Sequence, residues 1–231
     1  MRLLLVDHGC CDPPDTRVHR LRLELERSGV DATACGPSTV PSLAMPVPGL
    51  HGIHLHDVAA ANRRFLAAVH DGSAAALLTA TATLSPRLLG LVRETARQAL
   101  AEAVDARSPD AILVLHAGIL ADLAIETGVP VALHVAAGDL AAAAAGHRVD
   151  ALVAAAVGSA EWLGADSIAT RRLLETTTGG ATGDAGPPQR APRTDCAVVV
   201  GPLLGAGAVI AACQAAIATR ARVASGDRDR A

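Results

Sequence analysis

The sequence predicts an α/β fold: a Rossmann-like, mostly parallel sheet with helices on both faces. Three observations carry that expectation. Pro109 to Leu140, PDAILVLHAGILADLAIETGVPVALHVAAGDL, writes out a strand, a helix and a second strand, which is a complete βαβ unit. Ile112 to Leu115 is an unbroken apolar run, as a strand buried on both faces of a parallel sheet requires. Gly128 and Pro130 then separate the helix from the next strand, where a left-handed cap and a helix breaker belong.

Taken in order, Leu3 to Val6 is the first strand, running into Asp7-His8-Gly9 and a loop with Pro13 and Pro14. Thr16 is a helix N-cap, and Val18, Leu21 and Leu25 line one face of the helix up to Ser28-Gly29. Val30 to Cys35 is the second strand. Gly36 to Gly49, with Pro37, Pro41, Pro46 and Pro48, reads as loop, and Gly52 to His56 as a third strand. Ser85-Pro86 starts a helix to about Ala106, since a capping hydroxyl precedes a proline in the first turn. Ile119, Leu120, Leu123 and Ala124 repeat at helical spacing, and Val131 to Val135 is the strand that follows. Asp150 to Val157 reads as another buried strand and Trp162 to Asp166 as a helix end. Residues 1–175 form the main domain and Thr176 to Thr194 a linker by composition. Residues 195–220 supply a strand and an Ala-rich helix, and 221–231 a polar, disordered tail.

Composition excludes several chemistries. Half the residues are hydrophobic, yet there is one Phe, one Trp and no Tyr, so the core is built from Ala, Leu and Val. With so few stacking platforms and a formal net charge of −3, nucleic acid is not an expected partner. The chain has no lysine, which rules out a Walker A loop and Schiff-base catalysis. Its five cysteines are an odd number without CxxC spacing, against a zinc knuckle or a secreted disulfide framework and in favour of a cytoplasmic setting. The opening MRLLLV is too short for a signal peptide, and no stretch is long enough to span a membrane.

Ligands of open α/β sheets sit outside the carboxyl ends of the strands. That singles out Asp7, His8 and Gly9 after the first strand, His116 after the next, and His134, Gly138 and Asp139 around the end of its neighbour. Asp139 has a plainer alternative as the cap of a following helix, and Asp7-His8-Gly9 as a self-satisfied turn. His51, His54 and His56 cluster locally, but no third ligand type is fixed by spacing, so no metal is expected. Gly201 to Ala208, GPLLGAGA, opens a helix and matches neither phosphate-binding fingerprint. Arg63-Arg64 and Arg171-Arg172 read as solvated helix faces.

The order of MRLLLVDHG with its Pro-bearing loop, SPDAILVLHAGILADLAIETGVPVALHVAAGDL and VDALVAAAVGSAEWLGADSI resembles the N-terminal, acceptor-side half of family 4 glycosyltransferases of the GT-B fold. The likeness covers residues 1 to about 175, with an echo of the donor-side domain's opening strand and helix at Cys196 to Ile217. It implies a metal-independent, cofactor-free transfer of sugar from a nucleotide sugar to a small acceptor. His134, Asp139 and His116 would be catalytic, and Asp7, His8, Gly9 and Gly138 would bind substrate. The sequence departs from the pattern in four places. Pro14 to Arg17 stand where the family has a Gly-Gly pair; Ala136 takes the place of its catalytic-side histidine, with His134 two residues earlier. Pro202 replaces the diphosphate-binding arginine, and no Glu follows Glu175. A truncated donor half therefore implies a protein partner or a homo-oligomer to complete donor binding, or else a non-catalytic relative that partners a full enzyme.

Overall fold

The structure is a computed structural model and describes residues 1–9, 16–38, 48–55, 58, 60, 62–144, 147–179, 199–200 and 205–225. Its strands are β1 (Arg2–Val6), β2 (Asp31–Pro37), β3 (Leu50–Ile53), β4 (Ala111–Val114), β5 (Val131–Val135), β6 (Trp162–Ala165) and β7 (Val199–Val200). They form a seven-stranded sheet in the order β3-β2-β1-β4-β5-β6-β7, and every pairing is parallel. The chain runs outward from β1 to β3, then returns to pair β4 on the other side of β1. The reversal between β1 and β4 is the topological switch point of a Rossmann-like sheet, where adjacent connections leave towards opposite faces and open a crevice.

The continuous apolar strands serve two cores at once. Leu4, Val6, Ile112, Val114, Val131, Leu133 and Val135 face one side, where α2 (Arg63–Asp71), α3 (Ala74–Thr81), α4 (Pro86–Arg107), α5 (Ala121–Glu126) and α7 (His147–Ser159) pack. Leu3, Leu5, Ala111, Leu113 and Ala132 face the other, under α1 (Arg17–Arg27) and α9 (Ala206–Ala224). Alanines at Ala32, Ala34, Ala111 and Ala132 bring these two helices close to the sheet, so Val209, Ala212, Cys213 and Ala216 are buried there.

Local signals set the helix starts. The Thr16, Asn62, Ser73 and Ser85 side chains accept the N–H groups of His19, Phe65, Ala76 and Leu88, satisfying donors that have no partner inside the helix. Helix α2 ends at Gly72 with φ 73°, a left-handed cap.

Several boundaries depart from the expectation. Asp150 to Val157 lies in helix α7 rather than a strand, and Trp162 to Ala165 is strand β6 rather than a helix end. Val153, Ala156, Val157 and Ala160 are the buried positions, a helical spacing that a run of alanines conceals when only polarity is read. Strand β2 continues through Pro37, and β3 begins at Leu50. Thr176 to Gly179, expected in the linker, extend α8 (Ile168–Gly179), and residues 221–224, expected in the tail, complete α9. Cys10, Cys11, Pro13, Pro14, His56 and Cys196 lie outside the described residues, as do 39–47, 180–198 and 226–231. Among the described residues no helix is long and apolar enough to cross a membrane.

Candidate functional site

The carboxyl ends of β1, β4 and β5 bring Asp7, His8, Gly9, His116 and Asp139 together at the switch point. Asp139 lies in the first turn of α6 (Ala137–Ala144) and is buried. Its Oδ2 accepts the backbone N–H groups of Ala117 and Ala136, each at 2.9 Å, and its Oδ1 lies 2.9 Å from His116 Nδ1. The carboxylate thus caps its own helix and also holds the imidazole. The helix cap expected as its plainer role is therefore present, together with a hydrogen bond to His116.

Asp7 continues β1, its N–H donating to Cys35 O at 3.0 Å, while its Oδ1 accepts the Gly9 N–H at 2.9 Å. The same Oδ1 stands 3.7 Å from His116 Nε2, longer than a hydrogen bond. His116 is therefore an imidazole set between two carboxylates, hydrogen-bonded at Nδ1 and facing the Asp7 carboxylate at Nε2. Burial opposes its charged form, but the hydrogen bond and charge of Asp139 with the charge of Asp7 outweigh burial and the opposing charge of Arg17, so its pKa stands above the ordinary 6.5. Its side chain keeps 15% exposure. An imidazole so held can take a proton from a hydroxyl, or present a charged N–H to an oxygen.

His8 differs in kind. It is 1% exposed, and burial, with the charge of His116, drives its pKa down to about 3, so it is neutral. Its Nε2 accepts the Leu120 N–H at 3.0 Å.

The remaining expected residues stand apart from this group. His134 alternates with Leu133 and Val135 along β5 and so takes the α1/α9 face, its Cδ2 only 3.1 Å from where a Cβ on Gly164 would stand. Its charge reaches Asp166, which accepts the Ala137 N–H at 3.1 Å. Gly138 is exposed in the first turn of α6, with open space where a side chain would be. His51 on β3 is pushed down in pKa by burial against the charge of Glu102, and no group of three or more His, Cys, Asp or Glu among the described residues is placed to hold a metal ion. Arg63, Arg64, Arg171 and Arg172 are exposed.

Sequence reasoning missed Asp166, Gly118 and Arg17. Asp166 follows its strand as Asp7 follows β1, a signal hidden when Trp162 to Asp166 is taken for helix. Gly118, two residues beyond His116, is the mark of a close approach.

No protein-family model and no curated protein matches the chain. Among solved structures it is similar to an α,α-trehalose 6-phosphate synthase from Burkholderia multivorans, with 17% identity over 76% of this chain and 43% of that one and a TM-score of 0.48. An α,α-trehalose-phosphate synthase (UDP-forming) from Burkholderia vietnamiensis gives 17% identity, 77% and 42% coverage, and 0.49. A UDP-GlcNAc 2-epimerase from Neisseria meningitidis, in complex with UDP-GlcNAc, gives 14%, 87% and 46%, and 0.44. The chain spans less than half the length of each of these structures.

Proposed function

We propose that this chain is the acceptor-side half of a GT-B-type sugar transferase, and that an acceptor hydroxyl binds at the β1/β4 switch point beside His116. The observation that carries this is the placement of His116, anchored by Asp139 at 2.9 Å and facing Asp7 at 3.7 Å. In the proposed step the acceptor O–H gives its proton to His116 Nε2 while its oxygen bonds to the sugar's anomeric carbon. The bond from that carbon to the nucleotide's phosphate oxygen breaks, and the nucleoside diphosphate leaves with the electron pair. Asp139 is the positioning residue that keeps Nδ1 protonated and Nε2 basic. Asp7 receives a second hydroxyl, and the exposed backbone at Gly138 admits the ligand, whereas Gly9 is buried against Gly72 and Ala74 and serves only to hold the Asp7 carboxylate through its N–H. His134 acts at one remove, through Asp166 and the start of α6. A partner chain or a second copy completes the donor site.

A second reading, a non-catalytic relative that binds a sugar or a full transferase, is favoured by Ala136 standing where the resembled family carries an imidazole. Thermal unfolding with UDP-, GDP- and ADP-sugars, each with and without monosaccharide acceptors, separates the two when followed by product analysis. A ligand present at about 100 times its Kd stabilises by about 2.7 kcal/mol, and His116→Ala is expected to abolish that gain. Turnover supports the transferase, and stabilisation that stays without turnover when co-purifying protein from the native host is added supports the binding relative. No stabilisation by any member of the panel, or one that survives in His116→Ala, contradicts a sugar site at His116.

A further inference from the structure

His8 sits on the end of β1, yet its contacts are with the turn after β4. A Cβ on Gly118 would overlap Leu78 Cδ2 and stand 2.7 Å from His8 Nε2 and 3.0 Å from its Cδ2. The ring is therefore pressed on the bare backbone of the turn that carries His116, which only glycine permits. From the same position Nε2 accepts the Leu120 N–H at 3.0 Å. Because Nε2 is an acceptor, the single proton of the neutral ring belongs on Nδ1. The His8 and His116 rings meet edge to face, with centroids 6.3 Å apart and planes at 87°.

We propose that His8 is a positioning residue rather than a ligand contact: its ring, seated on Gly118 and bonded to Leu120, sets the 116–120 turn and so holds the His116 imidazole between Asp139 and Asp7. At 1% exposure it is closed to a ligand. Its neutrality also matters, because two charged imidazoles at this separation would repel and the proton would leave one of them. Among the described residues the charge that reaches His8 is that of His116, while His116 itself is faced by Asp139, Asp7 and Arg17. This proposal rests on His116 as the working base for its relevance to function, but not for its test.

The test is ring-nitrogen NMR on the full chain across pH, with the His116 titration as the readout. In the unsubstituted protein His8 is expected to show the neutral Nδ1–H form without titrating from about pH 4 to 8, while His116 titrates above 6.5. His8→Leu removes the acceptor and is expected to lower the His116 midpoint by about one unit and to weaken sugar binding about tenfold. His8→Gln, whose Oε1 can stand in for Nε2, is expected to restore both. Gly118→Ala, which displaces the ring without altering it, is expected to act as His8→Leu does. A His8 that titrates near 6.5, a His116 midpoint unmoved in His8→Leu, or a His8→Gln variant no better than His8→Leu overturns the assignment. If His116→Ala leaves sugar binding intact while His8→Leu still moves the His116 midpoint, the functional proposal fails and the positioning role stands.

Discussion

Asp139 carries more of the site than any other side chain, because its two oxygens satisfy Ala117, Ala136 and His116 at once. Hydrogen bonds to a buried charged group are worth roughly 1.5 to 3 kcal/mol each in deletion experiments. Asp139→Asn puts an amide donor against groups that already donate, so a loss of about 3 kcal/mol in denaturant unfolding is expected, with a lower His116 midpoint. The two imidazoles act oppositely on stability. The folded-state pKa of His116 is raised, so its contribution is complete below 6.5 and fades as pH rises through the folded value. His8 is lowered to about 3, so the unfolded chain takes up a proton that the folded one refuses, and stability falls as pH drops from 6.5 towards 3. Unfolding free energies of the unsubstituted chain and His8→Gln are therefore expected to diverge by about 1 kcal/mol per pH unit across that window. A constant difference would contradict a buried neutral His8. These residues were legible because a polar group that ends an apolar strand is an obvious candidate; the sharing of Asp139 between cap and imidazole was not, since only the fold brings residues 117, 136 and 139 together.

At the scale of elements, the strands and caps that follow from simple periodicity are present with shifted ends, while Asp150 to Val157, expected as strand, is helix and Trp162 to Ala165, expected as a helix end, is strand. DALVAAAV is apolar enough for a buried strand, and alanine's helix preference decides it; WLGA is short and contains glycine, yet it is strand β6 in the sheet. Gly164 shows why the glycine belongs there. A Cβ at this position would lie 2.5 Å from Trp162 Cη2 and 2.7 Å from Cζ3, with His134 behind. Gly164→Ala must push the indole aside, and a loss of about 1–3 kcal/mol is expected from this overpacking, read by denaturant midpoint. A neutral substitution would mean that the indole does not fold over β6.

Across the whole molecule the two ends of the sheet are built differently. The imidazoles gather at the carboxyl edges, whereas the opposite edge is tied by Glu161, whose Oε2 accepts the Val131 N–H at 2.8 Å and whose Oε1 stands 3.1 Å from Arg220 Nε. Arg220 also donates to Gly128 O at 3.1 Å, so α9 is fastened to the base of β5 and β6 by a half-buried guanidinium on a buried carboxylate. Arg220→Met deprives the buried carboxylate of its half-buried cation, and since leaving such a group short of a partner costs roughly 1–3 kcal/mol, a fall in unfolding midpoint is expected without loss of sugar binding. Neither partner stood out in the sequence, because Glu161 and Arg220 are distant in the chain and the geometry that pairs them is a property of the assembled sheet and helix. A sugar ligand is expected to meet the protein at the β1/β4 crevice. Backbone amide shifts during titration with the nucleotide sugar or acceptor that stabilises most measure this directly. The largest changes are predicted at Asp7 to Gly9, Ala117 and Gly118, and Ala136 to Asp139; changes confined to α2 and α3 or to the Glu161 edge, or none at saturating concentration, would contradict it.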